Sequence, residues 1–104
     1  NYYIYSMDKS YVYFMTNKNN TVIYIGVTSD LLKRVYQHKT KPFKGFTAKY
    51  NCDKLVYFEE FTDINQAIAR EKQLKSGNRK RKEELINLNN SEWKDLSDGW
   101  LFQF

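Results

Sequence analysis

Residue types that build many familiar sites are scarce in this sequence. Of its 104 residues, one is cysteine and one is histidine, which excludes an intrachain disulfide and a zinc site of cysteine and histidine ligands. No apolar run approaches the roughly 20 residues that span a membrane, and the N-terminus lacks the pattern of a signal peptide. We therefore expect a single domain in the reducing cytoplasm without membrane contact, in which Cys52 is a small buried apolar side chain.

Acidic residues are outnumbered by basic ones. Lys and Arg total 17 and Asp and Glu total 12, which gives a formal net charge of +5. This balance suits a polyanionic partner, although it does not indicate which one. The four glycines form no glycine-rich loop that could cradle a phosphate, so a nucleotide-binding loop of that kind is excluded.

Two β-type runs come first, at residues 11–15 and 22–26, and a polar turn joins them. The side chains of a strand alternate between its two faces. Tyr13 therefore shares a face with the residues two positions away on either side, and Tyr24 shares a face with Gly26. The pattern predicts two paired strands that carry tyrosines.

A helix follows the second run. Residues 28–30, Thr-Ser-Asp, are typical of a helix N-cap. At about 100° per residue, Leu31 and Val35 lie on one side of this helix and His38 lies beside them. Arg34 falls on the flank, four residues before His38, so these two side chains are neighbours on the helix surface.

A third strand is predicted at residues 54–61. Alternation divides its side chains into two sets, Leu55, Tyr57 and Glu59 on one face, and Val56, Phe58 and Glu60 on the other. Both faces have apolar members, which is typical of a central or covered strand.

The next helix carries an acidic residue within its apolar side. Asp63 and Gln66 have the spacing of a capping box, and the apolar side then includes Ala67 and Leu74. Glu71 lies within that stripe, where a carboxylate is costly unless it is paired or binds a cation. Two interpretations remain open: a metal ligand, or an ion pair with a basic residue such as Arg34. A lysine in the last turn and a glycine beyond it predict the end of this helix.

Two basic segments can be interpreted in two ways each. Residues 39–50 are predicted to form a loop that runs into a helical turn. This segment either contacts nucleic acid or is solvated, with Phe43 or Phe46 fixed to the core. Residues 79–86 predict a basic helix, either a phosphate-binding edge or a solvated charged face. The candidate nucleic-acid-binding residues are Lys33, Lys39, Lys41, Lys44, Lys49, Lys75, Arg79, Lys80 and Arg81.

Three of these features together resemble the GIY-YIG nuclease superfamily. Tyr11-Val12-Tyr13 stands for the first half of the signature, with tyrosine in place of its glycine. Tyr24-Ile25-Gly26 matches the second half, and Arg34 follows eight residues after the glycine. The resemblance extends from Tyr11 to about Leu96. It is similar to the small stand-alone bacterial members, relatives of the N-terminal domain of the excision-repair nuclease C subunit.

The resemblance and the pattern of runs imply one α/β domain over residues 7–97. We expect a small three-stranded antiparallel sheet flanked by helices, in the order β-β-α-β-α-α. Residues 1–6 are expected to be a tag or extension. Residues 98–104 form an apolar tail that could pack on the domain or join a partner, including a second copy of the chain.

The resemblance also implies a metal-dependent endonuclease that hydrolyses phosphodiester bonds in DNA, in the context of DNA repair. Glu71 would hold one Mg²⁺ or Mn²⁺, and Arg34 would bind the phosphate. Tyr13 would activate the water, with its pKa, ordinarily about 10, lowered by Arg34 and the metal. Tyr24 and His38 would orient water or phosphate, with His38 as the alternative base.

Two further residues and two other functions complete the expectations. Gly26 belongs to the signature, and Asn90 best matches the family's C-terminal site asparagine, with Asn87 and Asn89 as alternatives. The chain could instead be a catalytically weak or inactive nucleic-acid-binding module that acts with a partner. A structural protein of a nucleoprotein assembly is a third possibility, which leaves Arg34, His38 and Glu71 unexplained.

Overall fold

The computed structural model describes residues 8–42 and 44–103, which contain three strands and four helices. The elements are β1 (Ser10–Thr16), β2 (Ile23–Thr28), α1 (Leu31–Thr40), α2 (Phe46–Lys49), β3 (Lys54–Phe61), α3 (Ile64–Ser76) and α4 (Arg79–Asn89). They form the predicted α/β fold, and α2 is the expected helical turn. The predicted extension at residues 1–6 lies outside the described residues.

β1 is the central strand of the sheet. The strand order is β2-β1-β3, and β1 is antiparallel to both neighbours, which confirms the predicted three-stranded antiparallel sheet. Tyr13 stands opposite Gly26 on one side and Phe58 on the other. Asn17 closes the turn between β1 and β2, because its side-chain oxygen accepts two backbone N–H groups. The signature residues of two strands therefore meet at the middle of the sheet.

Each face of the sheet has its own core cluster. The cluster under α3 and α4 consists of Val12, Phe14, Ile25, Val56, Tyr57, Ala67, Leu74 and Ile86. The cluster under α1 consists of Tyr13, Met15, Leu31, Val35, Cys52 and Leu55. The alternation predicted for β1 and β2 is confirmed, and so is the burial of Cys52. The sheet is thus the middle layer of three.

The alternation predicted for β3 is wrong, because a β-bulge interrupts it. Phe14 pairs with Tyr57 and the next residue of β1 pairs with Leu55, so Val56 is an extra residue without a Cα partner. A bulge reverses the faces of the residues beyond it. Leu55 consequently packs under α1, whereas Tyr57 packs under α3.

The helix ends follow the capping residues that the sequence supplies. The Asp30 side chain accepts the backbone N–H of Lys33 at the start of α1, and that of Asp63 accepts Asn65 N–H at the start of α3. α3 ends at Ser76 and Gly77 follows as its C-cap, as predicted. None of the helices in the described ranges is long and apolar enough to cross a membrane.

The segment after α4 returns to the α1 face. One oxygen of Asp95 accepts the backbone N–H of Leu55, and the Leu96 N–H donates to the Leu55 carbonyl. Trp100 and Phe102 are half-buried against the core cluster under α1. This segment therefore extends the layer that covers the signature residues.

Candidate active site

Gly26 makes room for the hydroxyl of Tyr13. The two residues are partners across β1 and β2, and Tyr13 is fully buried. A Cβ atom on Gly26 would lie 2.5 Å from Tyr13 Oη, which is shorter than real contacts of this kind. Glycine is needed at this position because the hydroxyl approaches its backbone so closely. Any larger residue would displace Tyr13.

α1 brings His38 to the same hydroxyl. Leu31 and Val35 pack towards the sheet, and His38 is buried on the same side of the helix, as predicted. Nε2 of His38 lies 2.9 Å from Tyr13 Oη. A strand and a helix therefore contribute one group each to a buried hydrogen bond.

Burial sets the charge states of this pair. Burial, together with the charge of Arg34, lowers the pKa of His38 to about 4. Burial and the neighbouring Tyr24 raise the pKa of Tyr13 to about 12, although Arg34 acts in the opposite direction. With these pKa values both groups are uncharged at neutral pH, so the phenol of Tyr13 donates a hydrogen bond to the imidazole of His38. Arg34 thus acts on the pKa of Tyr13 in the predicted direction, but burial and Tyr24 outweigh it, so the pKa is raised and not lowered.

Tyr24 and Arg34 complete the group. The Tyr24 ring lies 6.2 Å from the Tyr13 ring and 5.4 Å from the His38 ring. Arg34 Nη1 donates to Gln37, and no carboxylate in the described ranges forms an ion pair with Arg34. We call Tyr13, Tyr24, Arg34 and His38 the tyrosine–histidine cluster. Its positive charge is available to an anion.

Glu71 lies on α3, which packs on the opposite face of the sheet from α1. Its neighbours along the helix, Ala67 and Leu74, are buried in the cluster under α3. The Glu71 side chain is 15% exposed, and its Oε2 lies 3.2 Å from Lys75 Nζ. The ion pair left open by the sequence is therefore formed with Lys75 and not with Arg34. No hydrogen bond or ion pair within residues 8–42 and 44–103 joins Glu71 to the tyrosine–histidine cluster.

The donor chemistry of Glu71 fits a divalent cation. In the described ranges, no three Asp, Glu, His or Cys side chains gather as metal ligands. Mg²⁺, however, is commonly held by one or two carboxylates, with substrate oxygens and water as the other ligands. Glu71 offers a hard oxygen ligand with one flexible lysine as its ion-pair partner, whereas the carboxylate of Glu59 is engaged through both oxygens by Arg70.

The three candidate asparagines make local hydrogen bonds. The side-chain amide of Asn90 donates to the carbonyls of Val56 and Lys94, and its oxygen accepts the N–H of Lys94. Asn87 accepts from an indole N–H, and Asn89 donates back to its own helix. Asn90 thereby ties the end of α4 to β3. Its participation in the site stays a prediction.

The predicted nucleic-acid-binding residues fall into two groups. Four form ion pairs with acidic side chains: Lys39, Lys41, Lys75 and Arg79. The other five are exposed: Lys33, Lys44, Lys49, Lys80 and Arg81. The exposed group is better placed to contact phosphates, because its members need not leave an ion pair.

The sequence left open whether Phe46 is fixed to the core, and the structure shows that it is not. It is exposed on α2, and its ring centroid lies 6.2 Å from that of Tyr24. Phe43, the other aromatic residue of that interpretation, lies outside the described residues. The tyrosine–histidine cluster therefore has an exposed aromatic neighbour.

Sequence reasoning missed a second tyrosine–arginine network. Arg70 Nε and Nη2 donate to the two Glu59 oxygens at 2.8 and 2.9 Å, and the Tyr57 hydroxyl donates to the same carboxylate. The bulge at Val56 brings Tyr57 to this face. The network could have been predicted only from the reversal of the faces of β3 at the bulge, and a single sequence does not show that reversal.

Known proteins resemble this chain in sequence. The sequence profile of the GIY-YIG catalytic domain matches residues 9–84. UPF0213 protein SSP2268 of Staphylococcus saprophyticus is 32% identical over 81 residues, which are 78% of this chain and 98% of that protein. UPF0213 protein CPE1444 of Clostridium perfringens is 35% identical over 78 residues, 75% of this chain and 83% of that protein. The profile match confirms the resemblance that the signature residues predicted.

A solved structure shares the fold. The solution NMR structure of UPF0213 protein BH0048 from Bacillus halodurans aligns with a TM-score of 0.55 and 24% sequence identity. The alignment covers 88% of this chain and 97% of the other. At this level of identity the likeness concerns the fold alone.

Proposed function

This chain belongs to the GIY-YIG catalytic domain family, and from that membership we propose that it is an endonuclease that hydrolyses phosphodiester bonds in DNA with one divalent cation. The observation that carries the proposal is the buried hydrogen bond between Tyr13 Oη and His38 Nε2. It lies beside Arg34, whose charge no carboxylate in the described ranges neutralises. This combination offers a proton acceptor next to a phosphate-binding cation.

Tyr13 and His38 act together as the base. A phenol of raised pKa can take a proton from water only if it gives up its own. His38 Nε2 is positioned to receive the Tyr13 proton. The resulting imidazolium beside Arg34 is unfavourable, because burial and Arg34 lower the pKa of His38 to about 4. A phosphate bound at Arg34 offsets that charge, so proton transfer becomes favourable only when substrate is in place.

The other site residues bind and orient the substrate. Arg34 is always charged, and its planar fork can hold two phosphate oxygens. Tyr24 orients the water or the phosphate, and Gly26 keeps the space that the Tyr13 hydroxyl occupies. Glu71 would hold Mg²⁺ or Mn²⁺, which when bound stabilises charge on the phosphoryl and leaving oxygens. Asn90 is the remaining polar residue of the proposed site.

The direct test is cleavage of labelled single-stranded, duplex, flap and nicked DNA and of RNA, with Mg²⁺, Mn²⁺ or EDTA. Wild type is compared with Arg34→Ala and Glu71→Gln. Glu83→Gln is a matched control for Glu71→Gln, because Glu83 also forms an ion pair with a residue four positions away in its helix. We expect metal-dependent cleavage that both site variants lose and the control retains. Cleavage at the wild-type rate by Glu71→Gln would exclude Glu71 as the metal ligand.

A second function is favoured by the local partners of two predicted site residues. Glu71 is paired with Lys75, and the Asn90 amide is engaged by Val56 and Lys94. A nucleic-acid-binding module that cleaves weakly and acts with a partner would tolerate both arrangements. For such a module we expect metal-independent binding of DNA, no cleavage, and equal affinity of wild type and Glu71→Gln.

A further inference from the structure

Four rings in contact lead from the tyrosine–histidine cluster to the surface. The centroid distances are 5.4 Å from His38 to Tyr24, 6.2 Å from Tyr24 to Phe46, and 4.7 Å from Phe46 to Tyr50. His38 is buried and Tyr24 is half-buried, whereas Phe46 and Tyr50 are exposed, at 51% and 40%. We call Phe46 and Tyr50 the aromatic platform.

The core does not account for the aromatic platform. Neither residue belongs to the two core clusters or to the partly buried side chains that pack against them. Exposed aromatic side chains that lie together at the surface commonly mark an interaction site. Here Phe46 is one ring contact from Tyr24 and Tyr50 is two, so a molecule on the platform would also be close to the proposed cleavage site.

The charge around the aromatic platform is positive. Residues 39–52 contain four lysines and no acidic residue, and two of these lysines, Lys39 and Lys41, form ion pairs with acidic residues elsewhere in the chain. Lys44 and Lys49 are exposed, and Lys49 Nζ lies 5.4 Å from the centroid of the Tyr50 ring. Rings that offer a stacking surface beside lysines that can contact phosphates are the combination that binds single-stranded nucleic acid.

We infer that the aromatic platform stacks an unpaired base of the substrate next to the cleaved phosphate, so that the protein acts on single-stranded DNA or on single-stranded segments. The inference rests on the proposed function and specifies its substrate. In a duplex each base is already stacked and paired, and taking it out costs free energy. A single strand offers the face of its bases at much smaller cost.

The test measures binding in EDTA, where cleavage does not interfere. Fluorescence anisotropy compares a single-stranded oligonucleotide of about 12 nucleotides with its duplex. Phe46→Ala and Tyr50→Ala should each bind the single strand about fivefold to hundredfold more weakly than wild type does, the loss expected for one stacked base. Phe58→Ala is the matched control, because Phe58 is also exposed, at 37%, but lies on β3, at the opposite edge of the sheet from β2 and Tyr24. We expect it to bind as wild type does, and Phe46→Trp to retain binding.

Abasic substitutions separate stacking from an effect on folding. Removing the stacked base from the oligonucleotide should weaken binding to wild type but leave binding to Phe46→Ala nearly unchanged. Equal single-strand affinity of wild type and both platform variants would overturn the inference, and so would a wild-type preference for duplex.

The outcomes that would overturn the proposed function differ from those that would overturn the inference about base stacking. If the platform variants bind like wild type and wild type still cleaves with Mg²⁺, the inference is overturned and the endonuclease proposal stands. If the variants lose single-strand binding and wild type cleaves none of the nucleic acids, base stacking is supported and the endonuclease proposal fails.

Discussion

The two faces of the sheet each carry a tyrosine close to an arginine, and the two sites differ in one respect. Under α3, the Glu59 carboxylate lies between Tyr57 and Arg70 and hydrogen bonds to both. Under α1, the neutral His38 is the hydrogen-bond partner of Tyr13, and Arg34 has no acidic partner in the described ranges. One arginine is neutralised within the protein and the other is not.

The comparison shows that similar residues form a neutralised network on one face and leave a positive charge without a carboxylate partner in the described ranges on the other. Burial raises the pKa of Glu59, but hydrogen bonds from Arg70 and Tyr57 outweigh it and bring that pKa below its ordinary value. That network is complete without a ligand. The positive charge of Arg34, in contrast, has no carboxylate partner in the described ranges, and the phosphate of the proposed function would have the matching charge and geometry.

The largest expected difference between the two faces is the effect on the cleavage rate of removing the hydroxyl of Tyr13 or that of Tyr57. We expect Tyr13→Phe to lower the cleavage rate about 10²- to 10⁴-fold, the usual contribution of a general base. Tyr57→Phe should leave the rate unchanged and lower the free energy of unfolding by about 1 kcal/mol, because it loses one hydrogen bond. Single-turnover cleavage and urea unfolding measure the two quantities. Wild-type cleavage by Tyr13→Phe would remove Tyr13 from the mechanism.

The two arginines sharpen the comparison further. Arg34→Ala should reduce cleavage about 10²- to 10³-fold, as when a group that stabilises the transition state is lost, with little change in unfolding. Arg70→Ala should lower the free energy of unfolding by about 2 kcal/mol, because it leaves the half-buried Glu59 without its charged donor. The same two assays apply. A reversed result, with Arg34 needed for folding and Arg70 for cleavage, would contradict the assignment of the two networks.

The sequence predicted one side of this comparison and not the other. Tyr13, Tyr24 and His38 lie on a hairpin and the helix that follows it, where local periodicity determines which side chains share a face. Tyr57 belongs to a strand whose faces are reversed by a bulge, and that bulge depends on pairing with β1. Pairing between distant segments leaves no periodic signal in the strand itself, so the network of Tyr57 could not be predicted.

The same distinction explains the other residues. The exposure of Phe46 depends on how α2 lies against β2, which composition does not determine. The side-chain amide of Asn90 donates a hydrogen bond to the carbonyl of Val56, which lies 34 residues away in the sequence. Residues whose neighbours are local were placed correctly, and those whose partners are distant required the structure.

Gly26→Ala tests the close approach on the α1 face. The added Cβ would meet the Tyr13 hydroxyl at 2.5 Å, so Tyr13 must shift. We expect unfolding to become easier by about 1–3 kcal/mol, the usual cost of overpacking, and cleavage to fall because the Tyr13–His38 hydrogen bond is disturbed. Gly77→Ala is the control, because its Cβ would make an ordinary contact at 3.5 Å. Equal stability of the two variants would show that the α1 face has room for a methyl group.

The smallest effect that separates the faces is the pH dependence contributed by His38. Burial and Arg34 lower its pKa to about 4 in the folded protein, against an ordinary value of 6.5. Between these two values the unfolded chain binds the proton more tightly, so the stabilisation present at neutral pH is lost as the pH falls from 6.5 towards 4. From about pH 7 to about pH 4.5, His38 should account for a loss of about 2 kcal/mol in the free energy of unfolding.

Urea unfolding of wild type and His38→Gln at both pH values measures this contribution, because carboxylates that titrate in the same range affect both proteins equally. We expect wild type to lose about 2 kcal/mol more than the variant. The loss should shrink when an inorganic phosphate analogue occupies the site, since an anion at Arg34 raises the pKa of His38. Identical pH dependence of the two proteins would mean that His38 is protonated as easily in the folded protein as in the unfolded chain, and the proposed transfer of a proton from Tyr13 would then lose its requirement for bound substrate.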